Sequence, residues 1–253
     1  MPVLFGKAMR RQNPTPNRRD LREVPMYSVA EAAHHLGLPR ATLRSWVFGR
    51  KYRAGGESRL SPGIIRRPDP SDERLSFTNL VEAHVLRALR VEHEVPMPQV
   101  RKALIYAEKE LGIPRILISD KLHAAPGEMF LKEYGRLLSL TVAGQLAMGK
   151  LLDQFLKRLR RDVDGIPIRL YPFIAPEVVD RGVVSIDPRI AYGRPSIPSK
   201  GISTAILAER ANAGERIEDL ADYYGLAIED VKEAVIYEGS RAAAVLYEGS
   251  RAA

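Results

Sequence analysis

The chain has 253 residues, 45% of them hydrophobic and 28% charged, with no cysteine and a formal net charge of +8. That is enough chain for two compact domains of a soluble globular protein. No apolar run approaches the roughly 20 residues of a membrane helix, the start MPVLFGKAMRRQ lacks the apolar core of a secretory signal, and disulfides and thiolate zinc sites are excluded; a cytoplasmic protein is expected.

Residues 1–23 hold six basic residues with Pro14 and Pro16 and no periodicity, which reads as a disordered arm. Ser28 followed by Glu31 is a capping box. It opens a short helix that places Val29, Ala32, Ala33 and Leu36 on one side. Gly37-Leu38-Pro39 breaks the helix, because glycine permits a left-handed cap and proline suits the first position of a new one. That second helix turns Leu43 and Val47 inward and Arg40, Thr42, Arg44 and Ser45 toward solvent. Two such helices form a helix-turn-helix, whose second member can enter a DNA major groove. Eight basic residues follow between positions 40 and 67 (Arg40, Arg44, Arg50, Lys51, Arg53, Arg59, Arg66, Arg67) against the single acid Glu57. Turns at Gly55-Gly56 and Ser61-Pro62-Gly63 make this a small β-wing with a basic edge toward phosphates.

At these residues the sequence resembles the MerR-like winged helix. ATLRSW stands at that family's helix-two motif, and RLSFTNL (74–80) resembles the segment that closes its wing. The resemblance spans residues 27–111. It implies that Thr42, Arg44 and Trp46 lie at the DNA interface with wing residues such as Arg66 and Arg67. The wing is longer here than the family's usual one.

Residues 77–90 and 100–111 repeat apolar positions at helical spacing and should complete the winged unit. His84 and His93 are given no ligand role. Residues 115–119, RILIS, alternate as a short strand. Residues 129–141, MFLKEYGRLLSLT, read as a hairpin turning at Tyr134-Gly135. Residues 144–161 read as one amphipathic helix with Leu146, Leu152, Phe155, Leu156 and Leu159 inward. Its end, with Lys157, Arg158, Arg160 and Arg161, suits a helix C-terminus. Residues 166–173 and 183–186 look like strands. Residues 204–213 are helical, and 217–224 with 228–237 form a second helix-turn-helix-like pair. That pair shows Glu218, Asp219, Asp222, Glu229, Asp230 and Glu233 on its exposed side, too acidic to face phosphates. It reads as a packing or partner-binding module. The charge count agrees: 29 Lys/Arg oppose 18 Asp/Glu through residue 164, and 10 oppose 13 beyond it. The expected fold is α+β and mainly α. It divides into a basic arm (1–23), a winged-helix domain (24–112), a hairpin-and-helix connecting or dimerisation region (113–164), a helical C-terminal domain (165–237) and a tail (238–253).

Residues 183–237, with SIDPRIAYGRPSI, Gly201-Ile202 and AGE…IEDLADYYGL…EDV, resemble a small helical domain long catalogued as one of unknown function. Chains joining it to a DNA reader resemble VapB-type antitoxins of toxin–antitoxin modules. The resemblance implies a toxin partner of the PIN-like ribonuclease class; operator DNA is the partner expected of the basic winged helix. The tail repeats itself: AVIYEGSRAA (234–243) precedes AVLYEGSRAA (244–253). A replication slip accounts for this. The alternative is a toxin contact through Arg241 and Arg251, each on a flexible segment behind a tyrosine and a glycine turn. Tyr237, Glu218, Asp222 and Glu229 are further candidates for toxin contact. No phosphate-binding glycine loop, nucleophile elbow or metalloprotease helix occurs, so no catalytic residue, metal or cofactor is expected. Long apolar helix faces point to a homodimer. Two alternatives remain open, a MerR-like regulator that senses a small ligand and an RNA-processing enzyme.

Overall fold

The computed structural model describes residues 20–91, 97–123, 125–138, 142–173 and 181–251, with side chains up to residue 240 except at positions 54, 91, 123, 125, 126, 142 and 143. The first 19 residues of the basic arm lie outside it. The described chain is mainly helical with three two-stranded antiparallel hairpins.

Helix α1 (Val29–Leu36) starts as the capping box requires. Glu31 N donates to Ser28 Oγ at 3.2 Å and Ser28 N to Glu31 Oε2 at 2.8 Å. It ends at Gly37, whose φ of 58° is left-handed. Helix α2 (Arg40–Phe48) follows with Pro39 as its N-cap. It leads into a wing of strands β1 (Arg50–Ala54) and β2 (Glu57–Ser61), joined across Gly55-Gly56. Helices α3 (Phe77–Val91) and α4 (Met97–Lys109) pack beneath. The expected strand at 115–119 is instead a turn. Ile118 N bonds Arg115 O and Ser119 N bonds Ile116 O. Consecutive Ile116 and Leu117 are both buried, so no alternation of faces exists.

The expected hairpin at 129–141 is corrected to a helix, α5 (Ala125–Leu137). Phe130, Tyr134 and Leu137 recur at helical spacing, and Phe130 and Tyr134 are buried with Tyr134 Oη bonding Leu89 O at 2.8 Å. Gly135 lies inside the helix, where a Cβ would stand 2.6 Å from Gln145 Cγ. It admits close helix packing and makes no turn. Helix α6 (Val142–Leu156) stops before the basic run. A hairpin does occur, later, from β3 (Leu159–Arg161) and β4 (Pro167–Leu170). Leu146 is 64% exposed, not inward, and Met148 is buried in the core. The run 157–161 is no helix cap. Arg158 stacks on Phe173 at 4.4 Å and Arg161 donates to Ile118 O and Gly165 O. One hydrophobic cluster runs from Tyr27 to Ile186, so residues 113–164 share the core of the winged helix.

The C-terminal unit has its own core, formed by Val184, Ile197, Leu207, Leu220, Ala221, Val231, Ala234 and Tyr237. It comprises strands β5 (Ser196–Ile197) and β6 (Ile202–Ser203) and helices α7 (Thr204–Asn212), α8 (Ile217–Tyr224) and α9 (Ile228–Arg251). Residues 183–186 contribute only isolated bridges, Leu170 with Ile186 and Ser185 with Ser196. Glu233 was expected on the exposed acidic face but is 4% exposed. Its carboxylate accepts from the backbone N–H groups of Arg181, Val183 and Val184, tying that segment to α9.

The two units meet at α1. Tyr27 Oη donates to Gly193 O at 2.9 Å. His34 Nε2 lies 3.9 Å from Glu238 Oε2, and Tyr237 Oη is 3.5 Å from His35 Nδ1. Both histidines therefore lie in the seam, neither freely exposed. Burial raises the Glu238 pKa, but hydrogen bonds from His34 and Thr204 outweigh it and hold the carboxyl below its ordinary value.

Candidate nucleic-acid interface

Helical spacing sorts the residues of α2. Leu43, Trp46 and Val47 fall on its inner face and are buried. Trp46 was expected at the DNA interface, but it is 1% exposed. It anchors the helix from behind, and Arg90 stacks on its ring at 5.8 Å. The outer face presents Arg40, Ala41 and Arg44, with Thr42 and Ser45 half-buried at its flanks. Arg44 lies 4.9 Å from the Phe48 ring, a cation–π contact that steadies the side chain without neutralising it. Ser45 Oγ donates to Thr42 O at 2.7 Å, so that hydroxyl is spent inside the helix.

The wing is fixed to α2 by close backbone approach. A Cβ at Gly49 (φ 78°) would stand 2.2 Å from Ser61 O, and one at Gly63 would stand 2.0 Å from Val47 O. Ile64 N and Ile65 N both donate to Trp46 O, at 2.7 and 3.0 Å, satisfying the end of α2. In the wing register, Arg50 pairs with Ser61 and Tyr52 with Arg59, while Lys51 pairs with Leu60 and Arg53 with Ser58. Opposed residues share a face and neighbours alternate. Arg50, Tyr52 and Arg59 thus line one side, and Lys51 and Arg53 the other, all exposed. Arg59 makes an exposed contact with Glu57 at 3.7 Å.

Arg66 and Arg67 are corrected. The strands end at Ser61, and neither arginine is on the wing. Arg66 pairs with Glu108 at 2.9 Å on the surface. Arg67 is half-buried, stacked on Phe48 at 4.7 Å and donating to Asp72 O. The signal missed in the sequence is Pro62-Gly63, which ends pairing before the Ile-Ile-Arg-Arg run.

Beside α2 and the wing lies a cleft of about 120 Å³, lined by Ser45, Arg50, Ser61, Pro62, Arg90, Met97, Pro98 and Arg101. Sequence reasoning marked Arg50 but neither Arg90 nor Arg101, because these come from the scaffold helices α3 and α4. Elsewhere, Glu218, Asp222 and Glu229 are exposed on α8 and α9, with Glu218 3.4 Å from Arg216 and Glu229 2.8 Å from Lys232. Tyr237, a candidate for toxin contact, is fully buried against the seam instead. Arg241 and Arg251 fall within α9, which runs unbroken from Ile228 to Arg251, so the expected flexible glycine turns are absent there; their side chains lie outside the described atoms. Among the described residues no group of three or more His, Asp or Glu side chains could hold a metal ion. No helix there is long and apolar enough to cross a membrane.

A helix-turn-helix followed by a basic hairpin, and backed by α3 and α4, defines a winged-helix DNA-binding protein. Residues 25–104 match the family described as "Putative DNA-binding HTH domain", and residues 184–237 match a "Protein of unknown function" family. Over 231 residues the chain is 31% identical to the "Putative antitoxin VapB45" of Mycobacterium tuberculosis, covering 84% of this chain and 93% of that one. The chain belongs to that antitoxin's family. It is also 26% identical to the uncharacterized protein Rv2308 of the same organism, over 85% of this chain and 90% of that one. The crystal structure of Rv2018 from Mycobacterium tuberculosis has the same fold, with a TM-score of 0.61 and 25% identity over 84% of this chain and 98% of that one.

Proposed function

We propose that this chain is the antitoxin of a type II toxin–antitoxin module, one that represses its own operator and neutralises a PIN-like ribonuclease. The observation that carries the DNA half is the unopposed cationic surface of α2 and β1. Arg40, Arg44, Arg50, Lys51 and Arg53 are exposed, and none of them forms an ion pair among the described residues. The α2 helix enters the major groove with Arg40, Thr42 and Arg44 toward the bases or flanking phosphates, while β1 tracks the backbone. Two copies are needed for a specific operator, so the working form is a homodimer of the 28.2 kDa chain. Toxin capture falls to the C-terminal unit, on the exposed acidic face of Glu218, Asp222 and Glu229, with the helix carrying Arg241 and Arg251 as the second candidate surface. The family resemblance supports this half.

The test pairs two measurements on the full chain. Anisotropy with a duplex from its own upstream region should show tight binding that weakens steeply with salt and is reduced by Arg44→Ala. Co-expression with the adjacent reading frame should yield a stable complex whose ribonuclease activity is silenced. A chain that binds duplex no better than a neutral protein, and leaves that ribonuclease active, has neither function.

A further inference from the structure

The cleft between α2, the wing and the scaffold helices gathers three guanidiniums with no carboxylate. Arg50 comes from β1, Arg90 from the last turn of α3 and Arg101 from α4. None of the three forms an ion pair with an acid among the described residues. Arg101 uses its fork on the base of the wing, donating to Pro62 O at 2.5 Å, Ser61 Oγ at 3.3 Å and Gly63 O at 3.5 Å. It thereby fixes where Arg50 stands. Arg50 and Arg90 have no side-chain hydrogen bond to a described residue. Burial pushes the Arg90 guanidinium below its ordinary value and the Arg50 charge adds to the push, though an arginine stays protonated at any cellular pH. The result is a concentrated, uncompensated positive field in a concave site. The opening turn of α4, with Met97 and Pro98, forms one wall, and a helix N-terminus adds partial positive charge there.

We propose that this cleft seats one backbone phosphate of duplex DNA, held by Arg50 and Arg90 together, with Arg101 as the positioning residue. The inference rests on the DNA-binding reading above and deepens it. A single tetrahedral anion answers both free forks at once, because guanidinium donors match phosphate oxygens in bidentate geometry. The seat lies where the wing leaves the recognition helix, so it sets the insertion of α2 and carries no sequence preference of its own.

The experiment is a double-mutant salt titration with the intact protein, on its own upstream duplex and on a scrambled duplex of equal length. Each phosphate contact contributes about 0.9 to the slope of log K against log salt, about a 3.5-fold change in affinity over a fourfold change in salt. Arg50→Gln, Arg90→Gln and the double variant should each lower the slope by about one contact per bound protomer, equally on both duplexes, because all three lose the same phosphate. Arg90→Lys should restore most of the slope by restoring the charge. Arg50 is exposed, so its variant folds whatever happens at Arg90. An unchanged slope for Arg50→Gln and Arg90→Gln, or a double variant losing two contacts per bound protomer, overturns the shared seat. If wild type binds and only Arg44→Ala weakens it, the cleft assignment fails while the DNA reading stands. If wild type binds no duplex, both fall. Inorganic phosphate is the control against a free-anion site. If it raises the melting temperature more than chloride at equal ionic strength, and the DNA slopes do not move, the cleft belongs to a small anion and the duplex seat is wrong.

Discussion

Acidification should destabilise this protein through one buried histidine in the helix that carries the winged domain. His84 is on α3, enclosed by Phe155 and Phe173 at ring distances of 4.9 and 5.8 Å. Its Nε2 lies 3.1 Å from Phe155 O; a carbonyl only accepts, so Nε2 carries a proton and donates to it. Burial first, then the charges of Arg87 and Arg158, push its pKa down from 6.5 to about 3. The unfolded chain therefore binds a proton that the folded chain refuses between those values. Stability is complete above about pH 6.5 and is lost as pH falls toward the folded pKa. Each pH unit in that window costs about 1.4 kcal/mol, so moving from pH 7 to pH 5 removes about 2 kcal/mol. Urea denaturation followed by circular dichroism at pH 5, 6 and 7 measures this directly. The His84→Gln variant keeps a donor for Phe155 O and serves as the reference, since every other titrating group is common to both proteins. If wild type and His84→Gln lose equal stability between pH 7 and pH 5, the buried neutral histidine is refuted.

The remaining predictions concern the wing, the C-terminal unit and the repeat. Gly49→Ala places a methyl 2.2 Å from Ser61 O at a left-handed φ. It should cost about 1–3 kcal/mol in a melting experiment and weaken binding to every duplex alike. Glu233→Ala leaves backbone donors at Val183 and Val184 unanswered, for about 1–3 kcal/mol. Hydrogen exchange should accelerate at those amides while α2 and α3 are unaffected. Removing residues 244–253 should leave both DNA binding and toxin inhibition intact. A cut after Tyr237 removes Glu238 from its contacts with His34 and Thr204, and should impair inhibition by loosening α9 from α1; full inhibition by that truncation would leave capture to Glu218, Asp222 and Glu229 alone and strike the helix carrying Arg241 and Arg251.

The sequence made the local signals legible and the distant partners less so. The capping box at Ser28 and the left-handed Gly37 depend on neighbours within a few residues, and both were readable. Trp46 was equally readable from its spacing to Leu43 and Val47, three back and one on. Its resemblance to an interface aromatic pointed the wrong way. Gly135 misled because glycine punctuates turns and also admits close helix packing, and only the position of Gln145 decides between them. The basic run 157–161 looked like a helix cap until Phe173, Ile118 and Gly165 claimed its arginines. Arg90 and Arg101 carried no sequence signal. They sit on amphipathic helices where any exposed cation is ordinary, and only the fold brings them to Arg50.

The narrow seam between α1 and α9 gives the molecule two ends that share a wall. The recognition helix leans on α1 from one side, and α9, with Tyr237 and Glu238, leans on it from the other. A ligand that shifts α9 against α1 changes the affinity of α2 for DNA to the extent that α1 carries the shift to the recognition helix. Thermodynamic reciprocity then makes DNA change the affinity for that ligand by the same factor. A coupling of about 1–3 kcal/mol would suffice to tie occupancy of the operator to occupancy of the C-terminal face.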